Sequence, residues 1–391
     1  MGGSAFSATL HPSAFPRMPP TVYRALRSRL APRLQTLYAI VSTPAEAPEK
    51  DDHGDVDFLV SEPHSSIVSE VPHTDVQSLF NAKYVVPAPG NRTSSYAIPV
   101  ERGEWAALGH VADEEARRKA TAAEGENQDN SIYYQVDVHV CTDKAEWERI
   151  QFFHGYGDLG MIMGLVARNK GLHLGSKGLK ISHPPRPPFE LSESMDEILE
   201  YMGLSMAHWK AGFQTKKEVF EWVATSSLFD VARFQTEGQG IKKVKPERKM
   251  YAEFVQWAKE QQQQLDDPEG AAQGKMDRDA QIQHALRYFG KKEEFDRLER
   301  EDANKARLKA GFNGTKVREW TGLRGEQWKE LKSTMDQVRS WVGGELGILT
   351  ILDEQGEEGI KELILKAKEN LGIIAQEVVE VTKGIDITTQ A

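Results

Sequence analysis

The 391-residue chain has a single cysteine, Cys141. That excludes an internal disulfide and any zinc cluster built on several cysteines, and it suits a reducing compartment. No apolar run approaches the roughly 18–20 residues needed to span a bilayer, so no membrane segment is predicted. A Gly-x-x-x-x-Gly-Lys-Ser/Thr loop is missing, as are serine and cysteine hydrolase signatures, which leaves a P-loop ATPase or such a hydrolase unsupported. Excess positive charge is also lacking. A formal net charge of -10 argues against coating nucleic acid with one broad basic face. It leaves room for a local groove that holds a triphosphate and one end of a polynucleotide.

Acid is absent from Met1 to Ala45, where Arg17, Arg24, Arg27, Arg29 and Arg33 stand among serines and prolines. Two readings fit this stretch. One is a mitochondrial transit peptide. The other is a basic amphipathic helix over about Thr21–Gln35, with Val22, Leu26, Leu30 and Leu34 on its packed stripe. The expected compartment is intracellular, cytoplasmic in the first instance, with the mitochondrion as the alternative.

What is present is ordinary globular composition, 39% hydrophobic and 28% charged. The patterning predicts strands over Thr36–Ser42 and Asp55–Val60, a short helix about Asp75–Ala82, and short strands near Tyr84 and Tyr96. Glu101–Asn130 reads as a charged surface helix with a loop. Ser131–Cys141 alternates strongly, as a central strand does. Helices follow over Lys144–Phe153 and Leu159–Asn169, then glycine-flanked turns with strands around Leu172 and Leu179. The prolines Pro184, Pro185, Pro187 and Pro188 suggest a domain boundary. The expected organisation is therefore α+β over 1–183, with a mixed sheet, and an all-helical domain over 184–391. Gln261–Lys275 is expected to be a loop.

The strongest chemical signal is Asp52-His53-Gly54-Asp55-Val56-Asp57-Phe58-Leu59-Val60. Residues i and i+2 of a strand share a face, so Asp55 and Asp57 project together from an apolar strand. Two like charges that close repel unless a cation sits between them, and magnesium is commonly held by a few carboxylates plus substrate phosphates. In Tyr133-Tyr134-Gln135-Val136-Asp137-Val138-His139-Val140, alternation puts Gln135, Asp137 and His139 opposite the valines. An acid inside a core-like strand is costly unless it is paired or metal-bound. If the two strands are neighbours, Asp137 completes a three-carboxylate cluster.

Gly-Asp-x-Asp before an apolar strand, with a later apolar-Asp-apolar strand, resembles the polymerase-beta-like nucleotidyltransferases. More narrowly, Gly2-Gly3-Ser4, the basic helix, the Asp-His-Gly-Asp-Val-Asp segment, Gln135-Val136-Asp137, Tyr156-Gly157-Asp158-Leu159-Gly160 and the Gly171-Leu172 to Gly178-Leu179 turn resemble a group of phage and fungal predicted nucleotidyltransferases. The resemblance covers most of Gly2–Ser182 and, more loosely, the helical remainder. It implies transfer of a nucleotidyl group from an NTP such as ATP to a hydroxyl, with release of pyrophosphate. It also implies two Mg2+ (or Mn2+) ions on Asp55, Asp57 and Asp137, and phosphate binding at Gly3 and Ser4. Asp55 and Asp57 would serve both ions, and Asp137 would assist deprotonation of the attacking hydroxyl. The acceptor stays open between an RNA end, a protein side chain and a small molecule.

Lys177 and Lys180, on the glycine-flanked turn, are candidate triphosphate contacts, as are Arg168 and Lys170. Tyr156-Gly157-Asp158 before a helical run could set Tyr156 or Asp158 beside the nucleotide, but Asp158 reads first as a helix cap or first-turn acid. Lys242, Lys243, Lys245, Arg248 and Lys249 form the densest basic cluster, ahead of Tyr251, Phe254 and Trp257. Cations beside aromatics suit single-stranded RNA, although the helical spacing of the rings also suits a core. The Phe312–Gly325 stretch, with a Gly-x-basic turn between helices, resembles the RNA-holding tail segment of CCA-adding enzymes. A haloacid-dehalogenase-type phosphatase also uses Asp-x-Asp, but Glu49-Lys50-Asp51-Asp52 replaces the buried strand it needs, and Leu59 stands where it needs a small residue. The remaining alternative is an inactive adaptor of the same fold that binds nucleic acid or protein.

Overall fold

The computed structural model describes residues 4–64, 71–88, 90–123, 131–234, 248–263 and 276–375. Gly2, Gly3, the Ser4 side chain, Lys242, Lys243 and Lys245 lie outside these, as does most of Gln261–Lys275. The chain forms two compact units, Met1–Lys291 and Lys292–Ala391. The first is α+β around a mixed sheet, and the second is helical among its described residues.

In the first unit, Pro19 and Pro20 open α1 (Pro20–Leu34), a position where a missing N–H leaves no bond unmade. Val22, Leu26, Leu30 and Leu34 are all buried, as their spacing predicts. Helix α1 is thus built into the core. There follow β1 (Tyr38–Ser42), β2 (Val56–Pro63), α2 (His73–Phe80), β3 (Tyr84–Pro87), β4 (Thr93–Pro99), α3 (Val111–Ala123) and β5 (Tyr133–Val140). The strands lie in the order β1-β2-β5-β4-β3, so β5 is central. β2 and β5 are parallel, and the other neighbours are antiparallel.

One face of this sheet carries Val56, Phe58, Val60, Val136, Val138 and Val140 into a core shared with the α1 stripe. On the other face, Ala97 and Tyr133 are covered by the amino-terminal segment, where Phe6 and Phe15 stack with ring centroids 5.1 Å apart. Asp57, Asp137 and His139 occupy the part of that face bordering an open cleft.

The charged stretch Glu101–Asn130 is less superficial than its composition suggests. Trp105 is fully buried and its indole N–H donates to the Tyr134 hydroxyl at 2.9 Å. Glu114 is also buried and accepts from the backbone N–H groups of Gly103, Trp105 and Ala106 and from Arg118. One acid inside the run therefore closes a turn that one large ring anchors.

Next come α4 (Lys144–Phe153), α5 (Leu159–Asn169), β6 (Leu172–Gly175), β7 (Gly178–Ile181) and β8 (Phe189–Ser192), the strands making an antiparallel sheet in that order. The expected boundary at the prolines is corrected here. β8 lies beyond them but pairs with β7, Lys180 opposite Glu190 and Ile181 opposite Phe189, so the prolines mark a connection within one sheet. A four-residue strand behind such a loop leaves too short a pattern to read. Helices α6 (Met195–Met202), α7 (Met206–Ala211), α8 (Lys216–Ala224), α9 (Lys249–Gln263) and α10 (Arg278–Tyr288) complete the unit. Ser194, Ser205, Thr215 and Asp277 cap four of them by accepting a first-turn N–H.

The second unit comprises α11 (Lys292–Gly311), α12 (Gly314–Thr321), α13 (Trp328–Val342), α14 (Glu345–Glu354) and α15 (Gly356–Asn370). Val317, Val338, Ile348, Ile360 and Ile364 form its core. The 312–325 stretch does connect helices, at 312–313 and again from Gly322, while Gly314-Thr315-Lys316 is the first turn of α12, capped by the Asn313 side chain, and Lys316 pairs with Glu357. Among the described residues no helix is long and apolar enough to cross a membrane.

Candidate metal and phosphate site

The parallel register of β2 and β5 sets Asp57 directly opposite Asp137. Partners in register share a sheet face, and Asp55 lies two residues before Asp57, at the strand's entrance. All three carboxylates line one cleft of about 1190 Å3. The turn that presents Asp55 is held from three sides. His53 and Met18 exchange backbone hydrogen bonds of 2.7 and 2.9 Å, Arg17 pairs with Asp52 at 2.7 Å, and the His53 ring stacks on Tyr23 with centroids 3.8 Å apart. Burial pushes His53 down to about 3, so the ring is neutral and its 3.6 Å approach to Glu46 is not an ion pair.

The electrostatics are those of crowded like charge. Asp57 is pushed up to about 7, first by desolvation and then by Asp55 and Asp137. Its side chain lines the cleft and is accessible there, which tempers the desolvation and leaves the upward direction resting on Asp55 and Asp137 as well. Asp137 is raised to about 6, again first by desolvation, although hydrogen bonds from Ser95 and Gln135 oppose the rise. The Gln135 amide reaches both Asp137 oxygens at 3.0 Å. Asp57 has no hydrogen-bond or ion-pair partner among the described residues. A divalent cation between the acids would offset both the desolvation and the like-charge repulsion that raise these groups, and the all-oxygen donor set suits Mg2+.

Cations also line the cleft. Lys177 is exposed on the β6–β7 turn and lines the cleft, as its sequence position predicts. That turn depends on Gly178, at φ +87°, where a Cβ would lie 2.3 Å from the Ser192 carbonyl oxygen. Lys50 and Lys249 also line the cleft, and none of these three lysines has an ion pair among the described residues. Arg149, Lys216 and Arg248 are already matched, to Glu193 at 2.9 Å, Glu253 at 2.8 Å and Asp158 at 2.7 Å.

Other expected contacts fall elsewhere. Lys180 pairs with Glu190 at 3.1 Å across β7 and β8, outside the cleft lining. Lys177, in the turn before β7, lines the cleft, whereas Lys180 lies within the strand. Lys170 is buried and donates to the Met276 carbonyl at 3.4 Å, and neither it nor Arg168 lines the cleft. Ser4 begins a three-residue 3-10 turn, too short to present a helix terminus to phosphate, and Gly3 is outside the described residues. Tyr251 and Phe254 are buried, with Phe254 packed on Phe220, Phe229 and Phe234. These rings form a core and offer no stacking platform, while Arg248 and Lys249 reach the cleft.

Asp158 occupies the cap position of α5 but does not cap it. Its carboxylate accepts from Arg248 at 2.7 Å and from the backbone N–H of Tyr251 at 3.2 Å, an unpaired donor in the first turn of α9. One acid therefore fixes the position of Lys249. The preceding Tyr156 and Gly157 are both left-handed, at φ 56° and 70°. Sequence reading missed Lys50, Lys249 as a cleft residue, and the Asp158 link. Only Lys50, beside the Asp-x-Asp turn, carried a local signal.

In comparison with known proteins, no protein-family model matches the chain and no curated protein matches it.

Proposed function

We propose that the chain is a metal-dependent nucleotidyltransferase, moving a nucleotidyl group from an NTP to a hydroxyl and releasing pyrophosphate. The observation that carries this reading is Asp57 facing Asp137 in register, with Asp55 on the same face and no cation paired to Asp57 among the described residues. A structural acid in that position would be matched. Asp55, Asp57 and Asp137 would hold two Mg2+ ions. Such ions activate an attacking hydroxyl and neutralise charge on the leaving pyrophosphate.

The chain's own groups supply the rest. Lys177, Lys50 and Lys249 line the same cleft with no ion pair among the described residues and are available to triphosphate oxygens. Gln135 holds both Asp137 oxygens, so that carboxylate keeps one orientation toward the hydroxyl it assists. An RNA end, a protein hydroxyl and a small molecule are all within this proposal as the acceptor.

The test is magnesium-dependent incorporation of labelled ATP, CTP, GTP and UTP into total RNA and into the protein itself, beside Asp57→Asn. Label transfer that disappears in the variant supports the reading and shows the acceptor class. If wild type transfers nothing and binds magnesium-NTP no better than the variant, the reading fails.

A further inference from the structure

Beyond the three aspartates, groups of a different chemistry converge where β5 gives way to α4. His139, Cys141 and Glu146 each offer one ligand atom, and these atoms all lie within 4.8 Å of one another. His139 follows Asp137 by two strand residues, roughly 7 Å along the same face.

Hydrogen bonding fixes what each group presents. The Thr93 hydroxyl donates to Asn91 Oδ1 at 2.9 Å, so toward His139 Nδ1, at 2.8 Å, it acts as acceptor. The imidazole proton therefore sits on Nδ1, and Nε2 carries a bare lone pair. That Nε2 is buried and has no hydrogen-bond partner. Glu146 is anchored through Oε2 alone, which accepts from the Thr142 N–H at 2.6 Å and the Thr142 hydroxyl at 2.8 Å. No donor among the described residues meets its Oε1. Cys141 is a buried free thiol whose backbone N–H is tied to the Val60 carbonyl at 2.8 Å. Asp143 in turn pins the start of α4 by accepting the Glu146 N–H at 2.7 Å.

We propose that His139 Nε2, Cys141 Sγ and Glu146 Oε1 form a second metal site, for Zn2+ or a similar thiolate-preferring ion, separate from the magnesium carboxylates. Imidazole, thiolate and one carboxylate make a three-ligand set that leaves a fourth position for water or substrate. His139 and Glu146 line the cleft, so that position opens on the same chamber. Tetrahedral bonds of about 2.0–2.3 Å need ligand atoms roughly 3.3–3.8 Å apart, so a small closure of the present spacing suffices. Binding is a proton exchange without redox change. The Cys141 S–H bond breaks, a sulfur–metal bond forms, and the proton passes to solvent. Thr93 is the outer partner that orients the imidazole.

Cobalt titration of the metal-stripped full chain, without nucleotide, tests this. Cobalt(II) should give a thiolate-to-metal charge-transfer band that saturates at one ion per chain, is displaced by Zn2+ and survives millimolar Mg2+. Because Cys141 is the only sulfhydryl, a band in the wild type assigns itself, even if Cys141→Ser proves unstable. His139→Gln and Glu146→Gln should weaken cobalt binding at least about tenfold. Asp57→Asn should keep the band, so its outcome is independent of nucleotidyl transfer. A wild type without the band, or one whose band Mg2+ displaces, overturns the proposal.

Discussion

Replacing Asp57 by Asn should stabilise the metal-free protein. A carboxyl whose pKa is raised by folding keeps its proton in the native state where the unfolded chain has lost it. The stability it contributes is present below the unfolded value, 3.8, and is lost as pH rises through about 7. At pH 8 without metal, Asp57 is thus a net cost that Asn, of the same shape, removes. Full conversion at about 1.36 kcal/mol per pKa unit gives a ceiling of about 4 kcal/mol. The group is open to the cleft and shares its titration with Asp55 and Asp137, so screening and coupling reduce the expected gain to about 1–2 kcal/mol. Urea unfolding at pH 8 in EDTA measures it, repeated at pH 4, where the gain should vanish. Saturating Mg2+ should reverse the order, stabilising the wild type more than the variant. A variant that is no more stable than wild type in EDTA, with equal Mg2+ effects on both, refutes the like-charge account of this site.

Three further outcomes follow from the same geometry. Lys177→Ala should raise KM for the NTP by about tenfold, the loss of one charge-assisted phosphate contact, whereas Lys180→Ala, already paired with Glu190, should leave it unchanged in steady-state assays. Leu30→Ala, at a site 1% exposed, should cost about 2–5 kcal/mol of stability by urea denaturation. A chain beginning after α1 should accordingly fail to fold, and a soluble, active truncation would show that the helix is dispensable as a transit peptide would be. Asp158→Ala should leave Arg248 unmatched and free the start of α9, costing about 1–3 kcal/mol and speeding amide exchange at Tyr251.

Residue periodicity made α1, β2, β5, α4 and α5 legible, because each buries one face over enough residues for a 3.6 or 2.0 repeat to stand out. It also placed Asp55, Asp57 and Asp137 on matching faces. Their meeting depended on β2 and β5 being neighbours, which alternation does not encode. The lysines were harder. Lys177 and Lys180 look equivalent in sequence, and only the β7–β8 pairing, hidden behind four prolines, gives Lys180 a partner. Trp105 and Glu114 were obscured because a charged run reads as surface when one of its acids is satisfied by backbone amides. For Tyr251 and Phe254 the helical spacing that suited a core is what the structure shows, while Lys242, Lys243 and Lys245 of the basic cluster lie outside the described residues.

The in-register contact of β2 with β5 has a consequence for folding kinetics. The two strands are separated in the chain by β3, β4 and two helices, so their parallel pairing is a non-local event of the kind that forms slowly. A slip of one residue would turn Asp137 toward the apolar face and set a valine beside Asp57. Metal affinity should therefore arise all at once, late in refolding and after helix formation. In a stopped-flow refolding experiment, the binding of a divalent ion would act as the clock for the step that commits the chain to its native register.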